Sequence, residues 1–464
     1  MTHLFGVLST GTSALLTQQR AINVTGNNIA NVNTPGYSRQ KVNLETGTPT
    51  QTGIGLMSSG VTSSGIVRIY DRFIGVQLNN ESANLGRWEA QQGLLERVEV
   101  VFDESGGYGL NQALSDFWNA WQDLSLNPTG KTERSMVAAT SQGLTDAVRQ
   151  KYRDLEQIQG SIDAAVEGGV ETVNRLIAQI ADLNQKIART EVGGTNANDY
   201  RDSRDLILKQ MAEIIDIQTH ENGDGQVVVS VAGGRPLVES GTTWRLQTQT
   251  NGDGHADIFW ADLSGTATNI TSEINAGKIG GWLQVRDTQI VGYQDQLNTL
   301  ADELRGRINA IHASGFGLNG TTGTNLFDAG GSGAANFQIN PAILNDFNRI
   351  AASATAGGVP GNADNAIAIQ DLRSALTMNG TATFDAAVTA LASQVGYDVQ
   401  TAKANSSHQA DLMTYLENYR ESISGVSLDE EMVNLVKFEA AYNAAAKMVS
   451  MADDMLNTLM NIIR

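Results

Sequence analysis

Apolar residues recur on a seven-residue beat at the C-terminal end of the chain. Leu428, Leu435, Tyr442, Val449, Leu456 and Ile463 form one series, and Phe438, Ala445, Ala452 and Leu459 lie three residues after its members. That spacing predicts a helix with a sustained coiled-coil seam. Ser427 and Glu430 stand at capping-box spacing, and Asp429, Glu430 and Glu431 suit the positive end of the helix dipole. The N-terminus repeats the beat more weakly with Leu8, Leu15, Ile22 and Ile29. Its helix must stop at Asn31-Val-Asn-Thr-Pro-Gly36, where Pro35 presets a turn and Gly36 supplies a positive φ. Two ends that each call for a helical partner are expected to pair with one another.

Between them, residues 74–102 and 110–124 read as helices, the second closing at Pro128. The pattern from Val137 to Ile187 reads as one helix of about sixty residues, roughly 90 Å long, with Gly168-Gly169 as the point where it can bend or break. A further helical patch, Asp205 to Ile217, precedes a change of texture. Gln226–Val231, Trp244–Thr248 and Ala256–Trp260 are β-prone runs set off by the turn signals Asn222-Gly-Asp-Gly225 and Asn251-Gly-Asp-Gly254. Helical periodicity returns over Leu283–Ile308, Ile367–Leu391 and Val395–Ile423, while Gly315–Gly333 is a glycine-rich loop. The expected fold is mainly α with a β-rich insertion, in nested domains. Residues 1–60 with 425–464 form a helical terminal coiled-coil polymerisation domain, 61–217 with 281–424 a long-helix rod-like domain, and 218–280 the inserted β domain. Seam burial falls short of the entropy cost of ordering about seventy terminal residues, so neighbouring copies are expected to complete the seam.

Charge and composition narrow the function. Fifty acidic against thirty-one basic side chains give a net charge of −19, which repels phosphate backbones and anionic headgroups, so neither nucleic acid nor a membrane surface is expected as partner. With no cysteine there is no disulfide, thiolate site or cysteine nucleophile. The first thirty residues lack the basic and apolar regions of a signal peptide. His3, His220, His255, His312 and His408 are scattered without metal-ligand spacing and are expected on the surface or in loops. Asn251 to Asp262 faintly resembles a calcium loop but lacks its glycine and closing glutamate, so a hairpin turn is expected. Gly330-Gly-Ser-Gly333 has no strand-to-helix context for phosphate, and no cofactor or enzymatic constellation stands out. Met432, Met448, Met451, Met455 and Met460 read as adaptable packing along the seam.

Asn27-Asn28-Ile29-Ala30-Asn31-Val32-Asn33-Thr34-Pro35-Gly36-Tyr37 resembles the N-terminal motif of the flagellar rod, hook and hook-associated axial proteins. The continuation Ser38-Arg39-Gln40 looks like the hook-associated members at the hook–filament junction. Ile423–Glu431, Phe438–Tyr442 and Ala452–Leu456 are similar to the same family's closing segment, with weaker similarity in Asp202–Asp205 and Gly280–Asp287. The resemblance implies a structural subunit exported by the flagellar type III route without a cleaved signal, extracellular once assembled into a short ring whose inner tube is made of paired terminal helices. The partners it implies are other copies of the chain, the hook protein, the second hook–filament junction protein, and an export chaperone acting on the C-terminal helix. It also implies an outer domain in some members, for which residues 315–361 offer only a glycine-rich connection. A hook or distal rod subunit is the nearest rival, and a secreted coiled-coil adhesin or translocator a remoter one.

Overall fold

The computed structural model describes residues 2–52, 55–57, 60–104, 109–231 and 233–463. Helix α1 (Thr2–Ala30) ends at the expected turn, where the Tyr37 N–H donates to the Thr34 carbonyl at 3.2 Å and Gly36 has a φ of 79°. A Cβ at Gly36 would also press on Leu206 at 3.3 Å. The helical character expected of residues 1–60 ends here. An antiparallel hairpin follows, β1 (Gln40–Thr46) with β4 (Val61–Arg68), bridged by the short strands β2 (Thr50–Thr52) and β3 (Gly55–Met57). Its strands are polar because they lie on the surface of α1 and bury little, so they carry little of the alternation that reveals a core strand.

Helix α2 (Arg72–Phe102) is capped by Asp71, whose carboxylate accepts from the Phe73 N–H at 2.8 Å. Helix α3 (Leu110–Leu126) leads into α4 (Lys131–Glu191), which runs unbroken for 61 residues. Gly169 does not break it. A Cβ there would meet Trp282 at 3.0 Å and Ile279 at 3.2 Å, so the glycine admits a neighbouring helix. After α5 (Asn198–Ile214) the insertion folds as two small antiparallel sheets: β5 (Ile217–Glu221), β6 (Val227–Val231), β7 (Arg235–Glu239) and β8 (Thr242–Thr243) in sequence order, then β9 (Arg245–Thr250), β10 (Ala256–Ala261) and β11 (Ala267–Asn269). The calcium-like segment is the β9–β10 turn, with the Asn251 Oδ1 accepting from the N–H groups of Asp253 and His255.

Helix α6 (Gly277–Gln284) passes through a π-helical turn at Val285–Ile290 into α7 (Val291–Ser314). The glycine-rich connection carries β12 (Phe316–Gly317), α8 (Pro341–Asn345) and β13 (Ala351–Ser353), the two strands pairing with each other. Helix α9 (Asp364–Asp371) is separate from α10 (Phe384–Ser424), so the helix expected over Ile367–Leu391 is interrupted; Asn379 and Gly380, both at positive φ, turn the chain between them. Helix α11 (Leu428–Ile463) closes the described chain.

A large apolar core extends through α2, α3, α4, both sheets of the insertion, α7 and the first half of α10, with Phe117, Trp118, Trp121, Phe327 and Phe384 fully enclosed. A small satellite of Ile74, Leu78, Met413 and Leu416 joins the far ends of α2 and α10. His312 sits in the main core, contrary to the surface or loop position expected of it. Its Nδ1–H donates to the Thr324 carbonyl at 2.7 Å, its Nε2 accepts from the Ala351 N–H at 3.0 Å, and its ring meets Trp121 edge-on. Both nitrogens are satisfied only by the neutral ring, and burial pushes its pKa down from 6.5 to about 4.

A lowered histidine pKa contributes stability in full above the unfolded value and loses it as pH falls toward the folded one. Between pH 6.5 and 4 the fold should therefore lose on the order of 3 kcal/mol through His312 alone. Thermal midpoints measured across that window should fall less steeply in His312→Gln than in the parent chain. Equal slopes would remove His312 as the cause.

Candidate assembly site: the terminal helix pair and its polar joint

Helix α11 packs along α1. Their closest approach is through small side chains. A Cβ at Gly11 would stand 2.8 Å from the Val449 Cγ2, and Ala445 and Ala452 are buried. The larger seam residues Leu8, Leu15, Ile22, Ile29, Leu435, Phe438, Tyr442, Val449 and Leu456 are only half-buried, while Leu428 and Leu459 are exposed; the Ile463 side chain lies outside the described residues. A knob in a coiled coil is enclosed by four residues of a facing helix, and a pair this close offers small side chains there and leaves the long ones at the rim.

The methionines expected to fill the seam point away from it. Met432, Met448, Met451, Met455 and Met460 are exposed, together with Val433 and Val436, so α11 bears a second apolar surface. Helix α1 exposes Phe5 and Leu16. Another of its faces is covered by the hairpin, where Ser13 and Thr17 donate to the Val61 carbonyl and Arg20 donates to the Ser63 hydroxyl at 2.5 Å. Among the described residues, the buried apolar side chains of this pair are Ala21, Val24, Ala445 and Ala452.

What fastens the pair to the body is polar. Asn28 is 1% exposed. Its Nδ2 donates to the Gln40 carbonyl at 2.8 Å and to the Glu431 Oε2 at 3.0 Å, while its Oδ1 accepts from the Tyr37 hydroxyl at 2.8 Å and the Gln40 N–H at 3.0 Å. Glu431, 2% exposed, also accepts from the Arg39 Nε at 2.7 Å. Arg39 reaches Glu430 at 2.7 Å, so that carboxylate faces the hairpin strand rather than the capping position, and the Arg39 N–H donates to the Ser424 carbonyl at 2.8 Å. The other motif residues shape this knot. The Asn31 amide donates to the Asn27 carbonyl at 3.0 Å, and Pro35 and Gly36 turn the chain so that Tyr37 points back at Asn28.

A second carboxylate continues the network. Asp202 on α5 accepts from the Ser38 N–H at 2.9 Å, the Ser38 hydroxyl at 2.8 Å and Arg68 at 2.8 Å, and Arg68 also binds Asp205 at 2.8 Å. Burial pushes Asp202 above the ordinary aspartate range in spite of those donors. Burial works against the Arg68 charge, but Asp205 and Asp202 outweigh it and hold the pKa above the ordinary value. The Tyr37 hydroxyl, enclosed and facing Asp199, Asp202 and Glu431, is pushed up to about 12. Arg204 of the same segment is buried and donates to the Gly225 carbonyl at 2.7 Å, tying α5 to the insertion. Periodicity gives no sign of Arg39, Arg68, Asp202 or Glu431 as a cluster. The sequence signal for Arg39, Asp202 and Glu431 is the similarity of Ser38–Gln40, Asp202–Asp205 and Ile423–Glu431 to family segments, and Arg68 has none.

Asn28→Ala removes a donor and an acceptor that four groups share, at about 1–3 kcal/mol for buried groups left unpaired. Where the terminal pair is ordered, the Gln40 and Arg39 amides should then exchange with solvent roughly 10- to 100-fold faster while the amides of α4 keep their protection. Unaltered exchange at Gln40 would show that the joint does not depend on Asn28.

Comparison with known proteins separates the ends from the middle. The models for flagella basal body rod protein and for flagellar basal body rod FlgEFG protein C-terminal match residues 8–37 and 419–462. The interior, residues 95–327, half of the chain, matches the flagellar hook-associated protein FlgK helical domain. Flagellar hook-associated protein 1 of Bacillus subtilis is 28% identical, with 99% of each chain covered, and that of Escherichia coli is 25% identical over 98% of this chain and 99% of its own. The latter alignment extends over 544 positions against 464 residues here, so that relative carries sequence this chain lacks. A solved structure of the flagellar hook junction protein FlgK from Burkholderia pseudomallei shares the fold, with a TM-score of 0.65 at 15% identity over 75% of this chain and all of its own. With half its length in that helical domain and both ends in the rod-protein models, the chain belongs to the flagellar hook-associated protein family, structural proteins of the bacterial flagellum.

Proposed function

We propose that the chain polymerises at the distal end of the hook and forms the junction on which the filament is built, as a structural subunit without catalytic activity. The observation that carries this reading is the unfinished terminal pair: α1 and α11 meet through Gly11, Ala445 and Ala452 while their long apolar side chains stand half-buried or exposed. Further copies packed around the pair cover those side chains, and the seam series from Leu8 to Ile29 and Leu428 to Ile463 becomes the polymerisation surface. Residues 1–60 with 425–464 then act as the inner assembly domain, 61–217 with 281–424 as the rod that spaces it from the exterior, and 218–280 as an outward module. A hook or distal rod subunit is the weaker reading, because the rod-protein models match only the two ends whereas the interior matches the hook-associated helical domain.

On this reading the hook protein lies on one side of the ring and the second hook–filament junction protein on the other. An export chaperone engages the Met- and Val-lined outer surface of α11 before assembly, since exposed methionines adapt to differently shaped partners. Export follows the flagellar type III route, for which a chain without disulfides is suited because it can pass extended. Residues 1–35 and 425–464 order on incorporation, when neighbours supply the burial that the isolated pair lacks.

Deleting the gene should leave hooks without filaments and shed flagellin into the medium, whereas loss of the hook itself would favour the rival. Leu435→Asp combined with Leu456→Asp should cut incorporation at least about tenfold, roughly 1.4 kcal/mol of assembly energy. Unfolding of the monomer core should stay within about 0.5 kcal/mol, as for substitutions outside a core. A double variant that still assembles normally would overturn the seam.

A further inference from the structure

Sulfur is distributed unevenly along this chain. There is no cysteine, and five of the eleven methionines fall within the 36 residues of α11. Met432, Met448, Met451, Met455 and Met460 are between 44% and 66% exposed. Met211, Met378 and Met413, in the body of the protein, are all buried. Met448, Met451 and Met455 are spaced by three and four residues, which puts them on one side of the helix. Met448 and Met455 each stand one position before a seam residue, Val449 and Leu456, so their sulfurs flank the rim along which the helix pair is unfinished. Helix α4 has a single methionine, Met136, which is 51% exposed and lies away from the terminal pair.

A thioether open to solvent undergoes two-electron oxidation. Hydrogen peroxide presents one oxygen to the sulfur lone pair; the S–O bond forms as the O–O bond breaks, and the other oxygen leaves as water once a proton has moved onto it. The sulfur is oxidised to the sulfoxide and the peroxide is reduced. With no thiol in the chain to react first, the exposed methionines are its foremost targets. The product is polar and chiral where the thioether was apolar, and an oxygen enclosed without a donor opposes burial. Oxidation therefore strikes the one property that lets this surface of α11 be covered. The buried body methionines are shielded from the same reagent, so the fold is spared.

We infer that the five methionines of α11 form an oxidation site that switches off incorporation of the free subunit: sulfoxides on this helix leave the body folded and prevent neighbouring copies from covering it. The inference rests on the axial self-assembly proposed above. Incorporation encloses the same sulfurs, so the site is open in the free subunit and closed in the assembly. Methionine sulfoxide is returned to the thioether by its reductases, one for each epimer, which makes the block reversible.

The isolated full-length chain, exposed to dilute hydrogen peroxide, quenched and digested, is read by mass spectrometry. Sulfoxide should form at Met448, Met451 and Met455 at least tenfold faster than at Met211, Met378 and Met413, with the thermal midpoint of the body unchanged. Incorporation is then measured as sedimentation with hook particles from cells lacking the gene. The oxidised chain should sediment at least tenfold less than the untreated one and recover after treatment with both sulfoxide reductases. The combined variant Met432→Leu, Met448→Leu, Met451→Leu, Met455→Leu and Met460→Leu keeps apolar side chains of similar volume and retains Met136, and it should incorporate equally with and without peroxide. Equal oxidation of buried and exposed methionines, undiminished incorporation of a chain oxidised on α11, or a loss that the reductases do not reverse overturns the inference and leaves axial assembly standing. Peroxide sensitivity that persists in the leucine variant does the same, since the damage then lies elsewhere. Recovery by the reductases decides the matter if the leucine variant does not itself incorporate. An untreated parent chain that fails to sediment with the particles overturns both readings.

Discussion

A carboxylate taken out of water must be met by a charge and by hydrogen bonds, and the burial of Glu431 imposes that condition on three segments of chain at once. Asn28 comes from the end of α1, Arg39 from the start of the hairpin, and Glu431 from the first turn of α11. Removing any one partner strands the others. The turn at Pro35 and Gly36 follows from the same condition, because only a sharp reversal after α1 can bring Tyr37 and Gln40 back onto the Asn28 amide. The hairpin inherits its position from Arg39, and α5 is drawn in through Ser38 and Arg68 onto Asp202.

The division of labour between this joint and the helix pair is physical. Polar contacts with fixed geometry set direction but add little net stability, since each replaces a bond to water. Apolar contacts add stability without direction. The chain puts the first kind where α1, α10 and α11 meet and leaves the second kind unfinished along the helices, which is the part that further copies complete in the assembly proposed above. Gly11, Ala445 and Ala452 make this possible by letting the backbones approach, so the bulkier side chains spread outward.

Much of this was legible in the sequence. The heptads of α11, the unbroken period of α4, and the Asn-Gly-Asp-Gly turns of the insertion each state a local preference that the fold obeys. The β1–β4 hairpin was not, because its strands pack on one helix and Leu44 and Ile66 remain exposed. The interruption between α9 and α10 escaped because apolar spacing continues through a turn made by Asn379 and Gly380. At the assembly site, Asn28, Pro35, Gly36 and Tyr37 could be named from a motif, and Leu435 or Tyr442 from periodicity. Arg39, Arg68, Asp202 and Glu431 could not be joined from one chain of letters, since their pairing spans up to 392 positions.

The elbow between α10 and α11 has a mechanical meaning. Helix α10 is a 41-residue strut, and Gly425–Ser427 is a three-residue interruption before the next long helix, so bending or twisting load on the subunit concentrates in those few backbone torsions. Arg39 bridges that elbow, its backbone N–H bonded to Ser424 on one side and its guanidinium to Glu430 and Glu431 on the other. It braces the elbow on both sides, and in the ring proposed above the same brace recurs once per subunit.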